Sequence, residues 1–517
     1  MFTWEFTKDI DREDKLPIFL QIARGISEDI KSGRLKPGAK VPGTRSLARA
    51  LEVHRNTIFA AYSELIAEGW LITHPKKGTF VSGEAMPSQS HRRRASAPSE
   101  KNSDSVHRGV CGQTGFDLRP VVSARRPELF PSTTIHLSSG APDPRLVPIE
   151  ELSRAYRRAL RISGKQLLGY SDPEGCPKLR AALARLVTDT RGLLAGPENV
   201  FITKGAQMAL ALIARTLVRK GEVVVVESLG YSPAWEAFQL AGAKLVPVPV
   251  DESGVDVESI KELASRQRIR AIYLTPHHQY PTTVTLSRGR RLKLLEFAAA
   301  NRIAVIEDDY DHDFHYSSRP ILPMASEDKA GVVIYLGTLS KVLAPGLRLG
   351  YIVAPRPLLD CLAAHRSYLD MHGDQVLETA VSEMIEDGEL SRHCNRVRRL
   401  YVQRRDALAE RLVAELGSVL RFSLPRGGMS IWAEVDRCVN VETWAQKSLS
   451  AGANFFTGRR YTFDREPIPY IRLNFAHLTE DELAEGVRRI SAALPGAYVD
   501  HFRHEAANRN RSRRTVG

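Results

Sequence analysis

The sequence predicts an α/β domain preceded by a small helical unit, and three observations lead to that prediction. The chain has 517 residues, 43% of them hydrophobic, which suffices for two to four domains. From about position 133, continuous apolar runs such as VVVVES, AIYLTP and AVIEDD alternate with helical patterns, as is typical of a mostly parallel sheet. Within positions 15–83, apolar residues recur instead at helical spacing.

These patterns divide the chain into four segments. Residues 12–83 are predicted to form the helical unit, and residues 133–497 the α/β domain with a smaller C-terminal subdomain. The intervening stretch, 84–132, is rich in Ser, Pro and charge, so it is predicted to be a flexible linker. The basic tail, 498–517, is predicted to be unfolded.

Charge and cysteine usage narrow the class of protein. The formal net charge is +13, and seven Lys or Arg stand against one acidic residue between positions 31 and 55, which predicts a polyanionic partner. Five scattered cysteines without a C-x-x-C pair predict no disulfide framework, and no metal site is predicted. Without a signal peptide or a run of about 18 apolar residues, we expect a cytoplasmic chain with no membrane span.

The helical unit has the pattern of a winged helix-turn-helix. Phe19, Ile22, Ile26 and Ile30 define the apolar face of a first helix, which LKPG ends. TRSLARAL predicts a second helix. A third begins near 55–57 and is expected to bury Ile58, Tyr62, Leu65 and Ile66. GWLITHPKKGTFVSG then predicts two short strands with a tight basic turn.

Such a unit places its third helix in the major groove of DNA, with the first residues of that helix nearest the bases. Arg55, Asn56 and Thr57 occupy this edge, and Arg and Asn suit guanine and adenine respectively. The candidates for phosphate contact are Arg45 near helix two and, in the hairpin turn, Lys76, Lys77 and Gly78. The alternative is a solvated basic surface that binds nothing.

The whole small unit resembles the GntR family of bacterial regulators. The resemblance rests on many fixed offsets: LPIFLQIA, G-x-L-x-P-G, P-G-T-R-S-L-A, V-x-R-N-T, A-Y-x-x-L and G-T-F-V. It implies a DNA-binding domain over residues 12–83. The sequence departs from the family at His54, where serine is usual, and this change concerns one phosphate contact rather than the fold.

Several side chains of the large domain follow predicted strands, where α/β folds bind their ligands. Lys341 follows VVIYL in GTLSK, and the acidic run AVIEDDYDHDF carries Asp308 and Tyr310. A lysine bonds covalently to pyridoxal 5′-phosphate, an acid holds its ring nitrogen protonated, and helix N-termini, hydroxyls and arginines bind its phosphate. Each feature also has an ordinary alternative when it is taken alone: the lysine could be a surface residue, the acidic run a surface loop, and the turns could bind nothing.

Residues 133–495 resemble the fold-type I aminotransferases, and the two domains together resemble the MocR/GabR-type regulators. The resemblance implies pyridoxal phosphate as cofactor, with Lys341 bonded to it, Asp308 at the ring nitrogen, Tyr310 at O3′ and Tyr231 stacked on the ring. It implies that the phosphate is bound by Gly205, Ala206, Gln207, Thr338, Ser340, Arg348 and, from the other subunit of a homodimer, Tyr170. Arg472 in YIRLNFAH matches the arginine that binds a substrate carboxylate.

The stretch TPHHQYPTTVTLS matches the part of the family that lies near O3′, with His278 and Gln279 as weaker candidates. It lacks the glycine that usually follows Pro-Thr, because Thr283 stands there.

Three functions fit the combination. In the first, the protein is a transcriptional regulator that senses an amine, an amino acid or a B6 vitamer through the aminotransferase-like domain. In the second, it is a working aminotransferase with an attached DNA-binding domain. In the third, the large domain is only a scaffold for dimerisation. We favour the first, because a catalyst has no evident use for a DNA-binding domain and a scaffold has none for Lys341.

Overall fold

The computed structural model describes residues 4–14, 16–83, 117, 130–316 and 321–497, and the chain divides into two compact units, residues 1–125 and 126–517. The predicted linker, 84–132, lies almost wholly outside the described residues, and the predicted tail, 498–517, lies outside them entirely. No helix within the described ranges is long and apolar enough to cross a membrane.

The first unit is a three-helix domain with a β-hairpin. Its elements are α1 (Ile18–Lys31), α2 (Thr44–Ala50), α3 (Arg55–Ala67), β1 (Leu71–His74) and β2 (Gly78–Val81), with the two strands antiparallel. Most of the predicted apolar face is buried, including Ile22, Ile26 and Ile30. Ile66 was expected in the core but is 41% exposed, because it lies at the margin of the apolar face of α3. The prediction of a winged helix-turn-helix is confirmed.

The start of α3 shows how His54 replaces the usual serine. Its side chain caps the helix, because the His54 ring accepts a hydrogen bond from the backbone N–H of Asn56 at 3.3 Å. A cap satisfies one of the N–H groups that a helix start leaves unpaired. Tyr62 ties α3 to the segment before α2 by donating a 2.7 Å hydrogen bond to the Pro42 carbonyl. The leading edge of α3 is therefore held in place by local bonds.

The second unit alternates strands with helices as predicted. Its strands are β3 (Ile135–His136), β4 (Val200–Thr203), β5 (Val223–Glu227), β6 (Lys244–Val248), β7 (Val250–Asp251), β8 (Gly254–Val255), β9 (Ile269–Leu274), β10 (Ala304–Asp309), β11 (Val333–Thr338), β12 (Gly350–Val353), β13 (Leu420–Arg421), β14 (Ser430–Val435), β15 (Ala453–Asn454), β16 (Phe456–Thr457) and β17 (Tyr470–Asn474). Its helices are α4 (Ile149–Leu167), α5 (Pro177–Arg191), α6 (Ala206–Leu217), α7 (Ser232–Leu240), α8 (Val257–Arg266), α9 (Arg288–Asn301), α10 (Arg356–Ser367), α11 (Gln375–Glu386), α12 (Glu389–Leu416), α13 (Val441–Ser450) and α14 (Glu480–Ala493).

A seven-stranded sheet in the order β4-β12-β11-β10-β9-β5-β6 forms the centre of this unit. Only β12 runs antiparallel to its neighbours. The strands β4, β5 and β11 are buried along their whole length, as expected for a sheet covered on both faces by helices. Apolar clusters lie on both sides of the sheet, one against α6, α7 and α10, another against α8 and α9. The predicted α/β fold with a mostly parallel sheet is confirmed.

The C-terminal subdomain is a separate layer. Four strands pair in the order β13-β14-β17-β16, and α12, α13 and α14 pack on them around the buried Trp444. Trp432 on β14 lies directly opposite Arg472 on β17. Side chains directly opposite on antiparallel strands share one face of the sheet, so this pairing orients the Arg472 side chain.

Candidate cofactor site

The predicted cofactor residues gather at the carboxyl ends of the parallel strands. Asp308 is the penultimate residue of β10, and Lys341 lies three residues after β11. Gly205 follows β4 and caps α6, while Tyr231 precedes α7. These strands run in the same direction within one sheet, so residues far apart in the chain share one edge, where α/β folds bind ligands.

Asp308 has one satisfied and one unsatisfied oxygen. Its Oδ2 accepts a 2.8 Å hydrogen bond from the Tyr273 hydroxyl, whereas Oδ1 is buried without a hydrogen-bond partner among the described residues. Burial raises the pKa of this carboxyl to about 7. A protonated ring nitrogen would donate a hydrogen bond to the free oxygen. Its positive charge would also pair with the negative charge of the ionised Asp308 carboxylate. Asp308 therefore fits the role that the family resemblance implies.

Lys341 is partly buried and lies beside a second basic group. Its Nζ donates a 2.5 Å hydrogen bond to the carbonyl of Gly140, in the segment after β3. Burial, and then the positive charge of Arg472, lower the pKa of Lys341 to about 8, against the opposing effect of Asp311 and Asp308. A lysine with a lowered pKa keeps a larger neutral fraction at neutral pH, and only the neutral amine is a nucleophile. The environment thus suits covalent attachment of a carbonyl compound.

The candidate phosphate site is formed where the side chain of Arg348 approaches the backbone of Gly205. Gly205 has a φ of +77°, and a Cβ placed on it would lie 3.3 Å from the guanidinium carbon of Arg348. Arg348 itself has a φ of 53°, which is uncommon for a residue with a side chain and is typical of functional sites. Ala206 and Gln207 continue from Gly205 into the first turn of α6, whose N–H groups favour an anion.

Two hydroxyls complete this candidate site. Thr338 donates from Oγ1 to the Leu349 carbonyl at 3.2 Å and accepts from the backbone N–H of Ser340 at 3.1 Å. The Oγ of Ser340 is buried and finds no hydrogen-bond partner in the described part of the chain. A buried hydroxyl without a partner is rare in native proteins. A phosphate oxygen at this position would satisfy it.

Tyr280 is the centre of an aromatic cluster that the sequence did not single out. The rings of Tyr231 and Tyr310 meet it edge-on, with centroids 5.6 and 5.9 Å away. The guanidinium of Arg472 lies 4.7 Å above its centroid, and Tyr461 packs on it at 5.6 Å. Arg472 is buried, and its Nε lacks a hydrogen-bond partner within the described ranges. Tyr280 therefore positions the predicted carboxylate-binding arginine through a cation–π contact.

The loop that carries Tyr280 is fixed by Gln279 and His278. Gln279 donates from Nε2 to the Leu229 carbonyl at 2.7 Å, and its Oε1 accepts from the Thr282 hydroxyl at 2.7 Å. His278 bonds to Asp311 at 2.8 Å. These are bonds within the protein, so both residues support the loop. Thr283, which replaces the usual glycine, takes a φ of 62°, the backbone conformation that glycine favours.

Tyr170 lies apart from this set within one chain. It is 86% exposed, and its ring contacts His372 edge-on at 6.2 Å. The family resemblance assigns this tyrosine to the phosphate of the partner subunit. A side chain that reaches another subunit has to be exposed in the single chain, as Tyr170 is.

The predicted DNA-contacting residues lie on the surface of the first unit. Arg45, Arg55, Asn56 and Lys77 are exposed, and Thr57 and Gly78 are partly exposed. Arg55 donates from Nε to the Thr44 hydroxyl at 3.5 Å, a long bond between the starts of α3 and α2. Gly78 has a φ of +114° at the end of the hairpin turn, where a side chain would be strained. The basic groups are therefore exposed on the surface, where an anionic partner can reach them.

Sequence reasoning missed three residues of the site. Tyr273, in the quoted run AIYLTP, bonds to Asp308, and Gly140 accepts the hydrogen bond from Lys341. Tyr280 stands in the quoted stretch TPHHQYPTTVTLS. Tyr273 meets Asp308 because β9 and β10 are adjacent in the sheet, and the sequence carries no signal for that pairing. Contacts across 201 residues, as for Gly140, leave no local pattern.

Comparison with known families matches both units. The family "Bacterial regulatory proteins, gntR family" matches residues 19–81, and "Aminotransferase class I and II" matches residues 132–490. A probable rhizopine catabolism regulatory protein, MocR, from Rhizobium meliloti is 31% identical over 488 residues, covering 94% of this chain and 95% of that protein. The HTH-type transcriptional regulator TauR from Rhodobacter capsulatus is 30% identical over 472 residues, covering 91% and 95%.

Solved structures resemble the second unit. The α-aminoadipate aminotransferase LysN from Thermus thermophilus, in complex with N-(5′-phosphopyridoxyl)-L-leucine, superposes with a TM-score of 0.66 at 32% identity. The match covers 71% of this chain and 93% of that one. The fold-type I aminotransferase architecture is thereby confirmed for the large domain.

Proposed function

The chain belongs to the class I and II aminotransferase family and joins that domain to a gntR-family domain in the MocR-type arrangement, and from this premise we propose that it is a pyridoxal phosphate-dependent transcriptional regulator that senses a small molecule. The observation that carries the proposal is the unsatisfied buried oxygen of Asp308, across the same sheet edge from Lys341. A domain that served only as a scaffold would have no need for either group. The effector class is an amine, an amino acid or a B6 vitamer.

The cofactor would be held at both of its ends by this chain. Lys341 would hold it covalently, and Asp308 would hold its ring nitrogen through the free Oδ1. Gly205, Ser340 and Arg348 would bind the phosphate, together with the first turn of α6. When bound, pyridoxal phosphate supplies a carbonyl carbon that condenses with amines and a ring that withdraws electrons. Tyr310 and Tyr231, which both pack against Tyr280, would lie along the ring.

Arg472 defines which amines the site would prefer. Its guanidinium is buried, and its Nε lacks a partner among the described residues. A planar guanidinium binds a carboxylate through two parallel hydrogen bonds. We therefore expect the effector to carry a carboxylate as well as an amine.

A homodimer is part of the proposal. Near the exposed Tyr170, α4 and the segment after α10 leave several large apolar side chains exposed: Ile162, Leu168, Tyr368, Leu369 and Met371. An apolar patch of this kind marks an interaction surface. A second copy of the chain on this face would cover the patch and bring Tyr170 to the partner's site.

Regulation requires a difference in affinity between two arrangements of the protein. An effector shifts DNA binding only if it binds one arrangement more tightly than the other. Coupling of roughly 1–3 kcal/mol corresponds to about a 5–150-fold change in DNA affinity.

The experiment measures operator affinity by fluorescence anisotropy, using DNA selected on the purified protein. The wild type and Lys341→Ala are compared without cofactor, with pyridoxal phosphate, and with cofactor plus a panel of amino acids. We expect at least one addition to change the wild-type affinity about fivefold or more and to leave Lys341→Ala unchanged. Turnover of amino-acid and keto-acid pairs near about 10 per second, with DNA affinity unaffected by every addition, would favour the aminotransferase instead.

A further inference from the structure

Three buried side chains that have no role in the cofactor set gather behind Asp308. His277 follows β9, Asp309 ends β10, and His312 lies in the turn after β10. Each is only 3% exposed. One imidazole nitrogen from each histidine and one carboxylate oxygen lie within 4.8 Å of one another. The cluster therefore combines two nitrogen donors and one oxygen donor in one buried place.

These three side chains are only partly satisfied by the protein. Nδ1 of His277, Nδ1 of His312 and Oδ1 of Asp309 are buried, and none has a hydrogen-bond partner in the described part of the chain. Nδ1 of His312 lies 3.0 Å from Oδ2 of Asp309, which is a contact within the cluster itself. Ligands at about 2.0–2.2 Å from a tetrahedral ion lie roughly 3.3 Å apart. The spacing of this pair is close to that value.

The carboxylate of the cluster is held from behind. The Tyr335 hydroxyl donates a 2.7 Å hydrogen bond to Oδ2 of Asp309 and accepts a 2.9 Å hydrogen bond from Nε of Arg191. Arg191 is in turn paired with Asp313 at 2.9 Å. Metal-binding side chains are commonly oriented by such outer hydrogen bonds, and losing one typically weakens the metal about 10–100-fold. The cluster thus has metal-donor atoms and a hydrogen-bond network that orients one of its ligands, Asp309.

We propose that His277, Asp309 and His312 bind one divalent transition-metal ion, for which Zn²⁺ is the best fit. Two imidazoles and a carboxylate suit Zn²⁺ better than the oxygen-preferring Mg²⁺ or Ca²⁺. The second oxygen of Asp309 or a water would complete four ligands. Rotation of the imidazoles about their broad terminal torsions closes the remaining separation of at most about 1.5 Å. The ion would fix the turn that presents Asp308 and Tyr310.

This site was hidden from the sequence, because the expectation of no metal rested on the cysteines. His277 and His312 are 35 positions apart in the chain, a spacing that matches no short metal motif. Only the pairing of β9 with β10 brings them together.

The test uses tag-free, full-length protein without pyridoxal phosphate, stripped with a chelator. Zn²⁺ is titrated in competition with a chromophoric chelator, and Co²⁺ is added separately to report the coordination geometry by its visible absorption. We expect one equivalent of tightly bound Zn²⁺ and a tetrahedral Co²⁺ spectrum in the wild type. His277→Ser and His312→Ser should each abolish stoichiometric binding, and Tyr335→Phe should weaken it about 10–100-fold.

His315→Gln is the matched control. It removes a histidine from the same turn. His315 contacts Arg398 at 2.9 Å and reaches only the backbone carbonyl of His312, at 3.4 Å, so the donor side chains of the cluster stay unchanged. Its metal affinity should equal that of the wild type. If a cluster variant fails to fold, the Co²⁺ spectrum of the wild type still decides the question.

Two results would overturn the proposal. One is a wild type that binds neither Zn²⁺ nor Co²⁺ stoichiometrically, which would mean that the cluster holds protons only. The other is equal binding by the wild type and folded His277→Ser. Because the cofactor is absent throughout, neither result depends on the proposed function.

Discussion

The Tyr273 hydroxyl donates a 2.8 Å hydrogen bond to one oxygen of Asp308 and leaves the other oxygen without a partner among the described residues. The two residues lie on neighbouring strands of the sheet, β9 and β10. The bond fixes the carboxyl so that its free oxygen has one orientation. It also opposes the increase in the pKa of Asp308 that burial causes. Tyr273 therefore prepares Asp308 for a positively charged partner.

Removing that bond should lower the affinity of the protein for the cofactor without unfolding the protein. In Tyr273→Phe the ring stays in place, but Asp308 loses a donor to its charged form. Hydrogen bonds to charged groups contribute about 1.5–3 kcal/mol, so we expect roughly 10–100-fold weaker binding of pyridoxal phosphate, measured from its visible absorption. Tyr401→Phe removes a buried hydroxyl from the C-terminal subdomain and is the control. Equal weakening in both variants would count against a specific role of Tyr273.

The reactivity of Lys341 should follow an unusually low pKa. Burial and Arg472 lower that pKa to about 8, so the neutral amine is the major form above about pH 8. The initial rate of pyridoxal phosphate capture by cofactor-free protein should therefore rise as pH increases and level off above that value. Stopped-flow absorbance measures this rate. Arg472→Gln removes a neighbouring positive charge and should move the midpoint upward. A wild-type midpoint near 10 would contradict the assigned environment.

The carboxylate preference should depend on the shape of Arg472 and not only on its charge. Arg472→Lys keeps a positive charge but cannot bind a carboxylate through a planar pair of donors. We expect amino acids that perturb the wild-type cofactor spectrum to bind roughly 10–100-fold more weakly to this variant. Amines without a carboxylate serve as the internal comparison and should bind unchanged. An equal loss for both classes would show that Arg472 only supports the fold.

The two kinds of DNA contact should separate by their salt and sequence dependence. Arg55→Ala should cost about 1–3 kcal/mol on the selected operator and relax the preference at one base position, because a base contact is lost. Lys77→Ala should weaken all sequences about equally and reduce the slope of log affinity against log salt by about one. Binding by both variants indistinguishable from the wild type would remove the assignment of α3 and the hairpin to DNA.

The sequence predicted the fold better than it predicted the details of the site. Continuous apolar strands and helical periodicity are local signals, so the sheet, the helices and the strand-end position of Asp308 could all be predicted. Ile66 was wrongly placed in the core, because it lies at the margin of the apolar face of α3. Its exposure of 41% depends on which neighbours pack there, and no local pattern records that.

Partnerships across the sheet were the part that sequence could not supply. Tyr280 occurs in a stretch that was already of interest, but its contacts with Tyr231, Tyr461 and Arg472 come from three separate regions of the chain. The same holds for His277 and His312, which only the pairing of adjacent strands brings together. Where a side chain stands on a strand is a local property, whereas what it touches is decided by topology.

Covalent capture at Lys341 is the most direct test of this account. Protein loaded with pyridoxal phosphate is reduced with borohydride, digested, and its peptides are mapped by mass spectrometry. We predict one phosphopyridoxyl group per chain, located on Lys341, and the loss of that label in Lys341→Ala. A label on another lysine, or an unlabelled wild type after incubation with excess cofactor, would contradict the account.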